Sequence, residues 1–148
     1  MDIGDSIPGV SGENQDGESF CLERASEAEY LLVFFFPRAK TPGCTKQSCS
    51  LRDANELLVD RGVEVVGVSR DSARALRAFS EERGLPYALV SDRDKELSRA
   101  FGVPSFFGFL KRQAFLFRKG RLVWLDRSAS TSTQADDVLA EINRIETS

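Results

Sequence analysis

The sequence predicts an α/β domain in which helices pack against a β-sheet. The segments 30–36 and 63–69, YLLVFFF and VEVVGVS, are typical of strands buried on both faces, and the first of them is a continuous apolar run. Segments with helical periodicity alternate with these runs, and such alternation is typical of layered α/β structures. Because 148 residues is the usual length of one domain, we expect residues 1–148 to form a single domain.

The N-terminal part of the chain contains few strong elements before the first long strand. Residues 1–18 are rich in Gly, Asp, Ser and Pro, which favours loops and at most a short hairpin. SFCL at 19–22 is a candidate short strand. The strand at 30–36 ends at Pro37, because proline has no backbone N–H to donate to a neighbouring strand.

A helix is predicted from 43 to 61, between the two apolar strands. Gly62 is placed to follow its C-terminus, and the strand at 63–69 begins directly afterwards. Two strands joined by a helix should be parallel, with a right-handed crossover. The apolar residues at helical spacing on one face are Leu51, Ala54, Leu57 and Leu58.

The alternation continues after the second strand. Asp71 or Ser72 can cap a helix that ends at Gly84, and YALV at 87–90 is a third strand. Asp92 can cap a further short helix, which reaches Phe101.

The C-terminal part predicts a hairpin and a last helix. AFLF at 114–117 and LVWL at 122–125 flank the turn sequence RKGR, a pattern typical of a β-hairpin. The final segment has helical periodicity, and Thr133 is its predicted N-terminal cap.

Charge and hydropathy exclude several classes of protein. The net charge is −3, from 20 basic and 23 acidic residues spread along the chain, so we expect no nucleic-acid interface. The N-terminus has no basic segment followed by an apolar segment, and the longest apolar run is far below the ~20 residues that span a bilayer. We therefore expect a cytoplasmic protein without a membrane partner. In that compartment, close cysteine pairs are more often catalytic or metal-binding than structural.

The stretch FFFPRAKTPGCTKQSCS, 34–50, combines the end of a strand with two cysteines at the start of a helix. Cys44 lies near the first helical turn, where unpaired backbone N–H groups and the helix dipole favour a thiolate over a thiol. The chain contains no histidine, so a Cys–His pair is excluded and any neighbouring cation must be lysine or arginine. A thiolate is a nucleophile, and it can be oxidised through a sulfenic acid.

The spacing of Cys44 and Cys49 restricts what the pair can do. Five residues along an α-helix separate the Cα atoms by about 8.6 Å. A disulfide requires roughly 4.4–6.8 Å. If both cysteines are in the helix, they can bond only after a turn unwinds, which indicates a redox pair that changes conformation.

Metal binding and simple packing are the other roles that these cysteines could have. Zinc normally takes four nitrogen or sulfur ligands, and Cys21 is the one further cysteine, so we expect no metal and no other cofactor. Buried, unreactive cysteines are common, and for the pair in isolation this alternative stays open. We interpret Cys21 as a packing residue, although it could serve as an alternative resolving thiol if it lies near Cys44.

PRAKTPGCTKQ, 37–47, closely resembles the active-site segment of peroxiredoxins, most of all the bacterioferritin comigratory protein or Q-type subfamily, in which Thr-Pro-Gly-Cys-Thr is typical. IGDSIPGV, RGVEVVGVSRDS, LPYALVSDRDKELSRAFGV and RQAFLFRKGRLV resemble further family segments, so the resemblance spans nearly the whole chain. It implies a thioredoxin-like fold: a central mixed β-sheet flanked by helices, with extra N-terminal strands.

The resemblance also implies a role for each residue of the site. Cys44 matches the peroxidatic cysteine, which attacks the peroxide, and Cys49 matches the Q-type resolving cysteine. Thr41 matches the threonine whose hydroxyl contacts the peroxide and the thiolate. Pro37 matches the proline that shields the pocket, and Arg112 matches the arginine that stabilises the thiolate.

The function implied is that of a thiol-dependent peroxidase for hydrogen peroxide and organic hydroperoxides, reduced by thioredoxin or a similar dithiol. We expect a monomer, because no sequence feature marks a dimer surface. An alternative is a peroxide-responsive redox sensor that uses the same cysteine pair. A disulfide reductase is disfavoured, since such enzymes usually carry Cys-x-x-Cys.

The chain departs from the family pattern at three places. Gln47 stands where the family often has glutamate, Arg118 replaces a usual acidic residue, and the segment 102–113 is shorter than in many relatives. The aromatic residues of that segment either line the peroxide entrance, favouring organic hydroperoxides, or pack in the core or at a dimer interface: Phe106, Phe107 and Phe109.

Overall fold

A seven-stranded mixed sheet forms the centre of the computed structural model, which describes residues 1–147. The spatial order of its strands is β2-β1-β5-β4-β3-β8-β9, and β6 pairs with β7 in a separate hairpin. The strands are, in chain order, β1 (Ser11–Asn14), β2 (Ser19–Cys21), β3 (Tyr30–Phe35), β4 (Val63–Ser69), β5 (Ala88–Ser91), β6 (Ser105–Phe106), β7 (Phe109–Leu110), β8 (Gln113–Arg118) and β9 (Arg121–Asp126).

The pairing of the strands confirms the predicted α/β class. β3 pairs with β4 and β4 with β5 in parallel, whereas β8 runs antiparallel to both β3 and β9. The predicted hairpin near the C-terminus is therefore present as β8 and β9. The extra N-terminal strands are β1 and β2, which form an antiparallel pair at the opposite edge of the sheet.

The helices connect these strands or follow the last of them, and the prediction for the first helix is wrong. The single helix expected over 43–61 is two helices separated at Ala54, whose ψ of 3° lies outside the helical range. Helical spacing of apolar residues continues on both sides of the break, so the pattern did not reveal it. The helices are α1 (Pro42–Asp53), α2 (Asn55–Asp60), α3 (Ala73–Arg83), α4 (Glu96–Phe101) and α5 (Gln134–Glu146), with a 3₁₀ helix at Leu22–Glu27.

Two of the predicted helix caps are confirmed. The Ser72 hydroxyl accepts a hydrogen bond from the backbone N–H of Ala75 at 3.2 Å, and it therefore caps α3. Asp92 acts from a distance, because α4 begins only at Glu96. Its carboxylate accepts bonds from the N–H groups of Leu97 at 2.9 Å and Ser98 at 3.0 Å, which satisfies two donors of the first turn.

Thr133 is the N-cap residue of α5, as predicted, but its side chain makes no cap hydrogen bond to a backbone N–H. The hydroxyl donates to the carboxylate of Asp137 at 3.1 Å. The backbone of Thr133, with φ −113° and ψ 5°, does not have the extended conformation that is typical of an N-cap residue and that directs its side-chain oxygen at the first turn.

Apolar side chains cover both faces of the sheet. Because successive residues of a strand point to opposite faces, Phe34 and Phe36 pack under α1, α3 and α5, while Phe35 packs with Phe101 and Phe115 on the other side. This double burial explains the continuous apolar run of β3. Cys44 belongs to the apolar cluster that contains Phe34 and Phe36. Within residues 1–147, no helix has the length and apolar character needed to cross a membrane.

Candidate active site

Cys44 is the third residue of α1 and therefore lies in the first helical turn. Thr41 is the N-cap residue with extended backbone, and Pro42 occupies the first helical position, where its missing N–H costs nothing. The first amide of this helix to find a helical acceptor is that of Thr45, which donates to the Thr41 carbonyl at 2.9 Å. The N–H groups of Gly43 and Cys44 precede it, at the positive end of the helix dipole. The Cys44 side chain itself is fully buried.

Arg112 supplies a cation to the Cys44 sulfur. Its Nη2 donates to Cys44 Sγ at 3.3 Å, and its Nη1 donates to Oε1 of Gln47. Arg112 directly precedes β8, and its carbonyl accepts a bond from the N–H of Ala129 at 3.3 Å. In the part of the chain that the structure describes, Arg112 forms no ion pair with a carboxylate. Its positive charge is therefore shared between a sulfur and a neutral amide.

Gln47 connects this arginine to helix α5. The Gln47 side chain is fully buried, and its Nε2 donates to Oε1 of Gln134 at 2.9 Å. Gln134 is the first residue of α5, also buried, and its Nε2 has no hydrogen-bond partner among residues 1–147. The hydrogen bonds thus run from the Cys44 sulfur through Arg112 and Gln47 to Gln134.

Gly43 leaves the space in which Arg112 lies. A Cβ atom at this position would be 3.1 Å from Arg112 Nη2 and 3.5 Å from Cγ2 of Thr131. The first distance is shorter than an ordinary van der Waals contact. The glycine before the cysteine therefore allows the guanidinium to approach the helix start closely.

Thr41 and Pro37, the other residues predicted from the resemblance, lie beside this centre. The Thr41 hydroxyl donates to the carbonyl of Arg38 at 2.8 Å. Pro37 is half-buried and lines a cavity of about 90 Å³ together with Phe109 and four further residues, Arg38, Arg70, Asp71 and Gly108. Among the five predicted site residues, all within the described chain, the one hydrogen bond joins Arg112 to Cys44.

Cys49 lies in the same helix as Cys44 but at a more open position. It is half-buried and lines a groove of about 520 Å³ beside the start of α5. Because both cysteines are in α1, their Cα atoms are about 8.6 Å apart. That separation exceeds the range of a disulfide.

Cys21 lies far from this centre. It ends β2 at the edge of the sheet, four strands away from β3. At about 4.8 Å per strand, this is roughly 19 Å across the sheet. Such a position does not favour a resolving role. No cluster of three metal-binding side chains is found among residues 1–147.

The aromatic segment forms the β6–β7 hairpin. Phe106 and Phe107 are 77% and 91% exposed, so the alternative that they pack in the core is wrong. Phe107 and Gly108 have positive φ values of 51° and 82°, which are typical of a tight hairpin turn. Phe109 is less exposed, at 42%, and its ring centroid lies 5.9 Å from the guanidinium carbon of Arg38.

Sequence reasoning missed Gly43 and Gln134 as members of the site. Gly43 is part of the TPGC motif, so the motif contained a signal for it. Gln134 is 87 residues from Gln47 and belongs to a helix start with no unusual feature, so the sequence offered no signal.

A family model described as the AhpC/TSA family matches residues 3–124. The chain belongs to the AhpC/TSA family. A protein named peroxiredoxin Q, chloroplastic, from Suaeda salsa is 36% identical over 124 residues, which are 82% of this chain and 58% of that protein. The chain thus spans little more than half the length of this curated relative.

Solved structures agree with this membership over nearly the whole chain. Peroxidoxin BcpB from Mycobacterium tuberculosis matches with a TM-score of 0.91 and 30% identity, covering 98% of each chain. The bacterioferritin comigratory protein from Xanthomonas campestris, whose alkyl peroxide reduction activity is described, matches with a TM-score of 0.85 and 29% identity, over 95% of this chain and 99% of that one. The resemblance to Q-type peroxiredoxins and the thioredoxin-like fold are thereby confirmed.

Proposed function

We propose that this protein is a thiol-dependent peroxidase with Cys44 as its peroxidatic cysteine. The observation that carries the proposal is the bond from Arg112 Nη2 to the buried Sγ of Cys44 at 3.3 Å, at the start of a helix. A guanidinium keeps its proton at working pH and favours a thiolate beside it. The names of the relatives support the same chemistry.

In the first step, the Cys44 thiolate attacks one oxygen of the peroxide and the O–O bond breaks. The leaving oxygen takes up a proton and departs as water or an alcohol, while Cys44 becomes a sulfenic acid. Negative charge develops on the leaving oxygen. Arg112 and the backbone N–H groups of Gly43 and Cys44 are preorganised donors for it. In this step the Thr41 hydroxyl turns from the Arg38 carbonyl to the peroxide, and Pro37 shields the pocket.

In the second step, Cys49 attacks the sulfenic sulfur of Cys44. An S–S bond forms and the S–O bond breaks, so that hydroxide leaves and is protonated to water. The helical geometry requires the segment between the two cysteines to unwind first. A partner dithiol then reduces the Cys44–Cys49 disulfide by exchange and becomes a disulfide itself.

The setting of this cycle is part of the proposal. Substrates are hydrogen peroxide and organic hydroperoxides, and the reductant is thioredoxin or a similar dithiol. We place the protein in the cytoplasm as a monomer of one domain that needs no cofactor and binds neither nucleic acid nor membrane.

Steady-state peroxide consumption with thioredoxin tests the role of Cys44. Cys44→Ser should abolish consumption, whereas Cys21→Ser, at the far edge of the sheet, should retain the wild-type rate. Wild-type turnover by Cys44→Ser would refute the proposal. Rapid oxidation of the wild type with slow turnover by every dithiol would instead favour a redox sensor.

Mass spectrometry of the oxidised protein tests the role of Cys49. After treatment with one equivalent of hydrogen peroxide, the peptide that contains both cysteines should lose two hydrogens. In Cys49→Ser, the same peptide should gain one oxygen atom. If the wild-type peptide also keeps an oxygen and never loses the hydrogens, Cys49 is not the resolving cysteine.

A further inference from the structure

Three hydrogen bonds connect residues 47–50 of α1 to groups outside this helix. These residues lie between the two cysteines or directly follow Cys49. Gln47 Nε2 donates to Gln134 Oε1 at 2.9 Å, and the Ser50 hydroxyl donates to the Ser132 carbonyl at 3.3 Å. From the opposite side, the Tyr87 hydroxyl donates to the carbonyl of Ser48 at 2.8 Å. All three bonds keep this part of α1 helical, and at least some of them must break when it unwinds.

The Gln47–Gln134 bond differs from the other two, because Gln47 is also connected to the Cys44 sulfur through Arg112. Gln47 presents Oε1 to Arg112, and Arg112 presents Nη2 to Cys44. With its Nε2 bonded to Gln134, the Gln47 amide is fixed in the orientation that directs its oxygen at the guanidinium. Gln134 makes no direct contact with the sulfur, so any effect on Cys44 must pass through Gln47 and Arg112.

The bonding of Gln134 is incomplete. The side chain is 1% exposed, and within the described residues its Nε2 has no partner. The Ser48 hydroxyl is likewise buried without a partner there. A buried donor without an acceptor destabilises the folded arrangement, since it would bond to water once exposed. The hydrogen bonds stabilise the helical segment, and the buried donors without a partner offset part of this stabilisation. This balance is consistent with a helix that must open during turnover.

We propose that Gln134 is a positioning residue with opposite effects on the two steps of the cycle. It supports peroxide reduction by orienting Gln47 and, through it, Arg112. It delays disulfide formation by holding the helical segment that must unwind before Cys49 reaches Cys44. The inference rests on the proposed function, because it assigns no role without the Cys44–Cys49 disulfide.

Gln134→Met tests this inference, since methionine has a similar shape and lacks both polar atoms. We expect the second-order rate constant for hydrogen peroxide to fall about fivefold and the rate of disulfide formation to rise about fivefold, the effect of one hydrogen bond. Rapid-quench mass spectrometry resolves the two steps, because a sulfenic acid adds one oxygen and the disulfide removes two hydrogens.

A second readout follows from the competition for the sulfenic acid. Excess hydrogen peroxide oxidises Cys44 further to a sulfinic acid unless Cys49 arrives first. Faster disulfide formation in Gln134→Met should therefore lower the fraction of sulfinic acid at a given peroxide concentration. A side chain that merely fills space would not lower it.

A double-mutant cycle checks that Gln134 acts through Gln47. Adding Gln134→Met to Gln47→Met should change the peroxide rate constant less than twofold, because the connection to Arg112 is already broken. Asn143→Ala, which removes an exposed amide from the same helix, is the matched control and should leave both rates unchanged.

Two results would overturn the inference. Both rates could stay within twofold of the wild type in Gln134→Met, or both could fall together with the melting temperature, as general destabilisation predicts. The wild type separates this failure from that of the proposed function. If the wild type forms the disulfide and Gln134→Met does not change the two rates in opposite directions, the proposed function stands and only the role of Gln134 is refuted.

Discussion

Arg112 Nη2 lies 3.3 Å from the sulfur of Cys44, although 68 residues separate the two in the chain. The contact joins the start of α1 to the residue that precedes β8, and β8 pairs directly with β3, the strand that leads into the cysteine loop. The segments that adjoin two neighbouring strands therefore bring the Cys44 thiol and the Arg112 guanidinium together. A rigid sheet fixes their separation better than two loops could.

Replacement of Arg112 should remove most of the peroxide reactivity. Arg112→Met keeps the length of the side chain but loses the charge and both donated hydrogen bonds. We expect the second-order rate constant for hydrogen peroxide to fall about 10²- to 10³-fold, as when one donor to a developing anion is removed. Stopped-flow kinetics of the reduced protein measures it.

Arg118→Met is the matched control for this variant. Arg118 forms a half-exposed ion pair with Glu29 at 3.1 Å, and such pairs contribute little to stability. Its rate constant should equal that of the wild type. A loss below tenfold in Arg112→Met, or an equal loss in both variants, contradicts the role of Arg112.

The sequence predicted the parts of the fold that depend on local pattern. The apolar run of β3 is continuous because both faces of this strand are buried, and the sequence alone shows this pattern. In β4 the exposed Glu64 interrupts it. The break between α1 and α2 at Ala54 has no corresponding pattern in the sequence. Neither does the backbone conformation of Thr133, in which the side chain makes no cap hydrogen bond to the helix.

For the site, the sequence indicated some residues and gave no sign of others. Cys44 and Cys49 could be interpreted from helix geometry, whereas Arg112 was singled out by family resemblance, since nothing in its own surroundings in the chain indicates a contact with a cysteine. The Gln47–Gln134 bond is a tertiary contact between two ordinary polar residues. Only the folded chain brings them together, and for that reason no local pattern predicted it.

Gly43→Ala should reduce activity without reducing stability. Alanine is favoured over glycine in a helix by up to about 1 kcal/mol. The new Cβ would meet Arg112 Nη2 at 3.1 Å, so the guanidinium must shift and its bond to Cys44 must weaken. We expect the peroxide rate constant to fall about 3- to 10-fold. The melting temperature should be equal to that of the wild type or higher, and a fall in it would attribute the loss to misfolding.

Gln47→Glu should make the folded site more stable and less reactive. A carboxylate at this position can accept bonds from Arg112 and from Gln134 Nε2, which lacks a partner in the described chain. The segment then resists unwinding, and we expect disulfide formation to slow about fivefold. The carboxylate also competes with the Cys44 sulfur for the Arg112 guanidinium, so the peroxide rate constant should fall.

Rapid-quench mass spectrometry measures both effects of this variant. Gln47→Glu should lower the peroxide rate constant and slow disulfide formation. Gln47→Met, whose side chain cannot bond to Gln134, should instead form the disulfide faster than the wild type. Equal rates of disulfide formation in Gln47→Glu and Gln47→Met would show that the carboxylate does not hold the segment.

The β6–β7 hairpin allows a comparison between two phenylalanines with different surroundings. Phe109 lines the cavity of about 90 Å³ beside Pro37, whereas Phe107 is 91% exposed at the turn and is absent from the residues that line this cavity. If the cavity receives the apolar part of an organic hydroperoxide, Phe109→Ala removes a contact that hydrogen peroxide never makes. We expect the ratio of rate constants for cumene hydroperoxide and hydrogen peroxide to fall about 3- to 10-fold. Phe107→Ala should leave this ratio unchanged, and an equal fall in both variants would assign the effect to the hairpin as a whole.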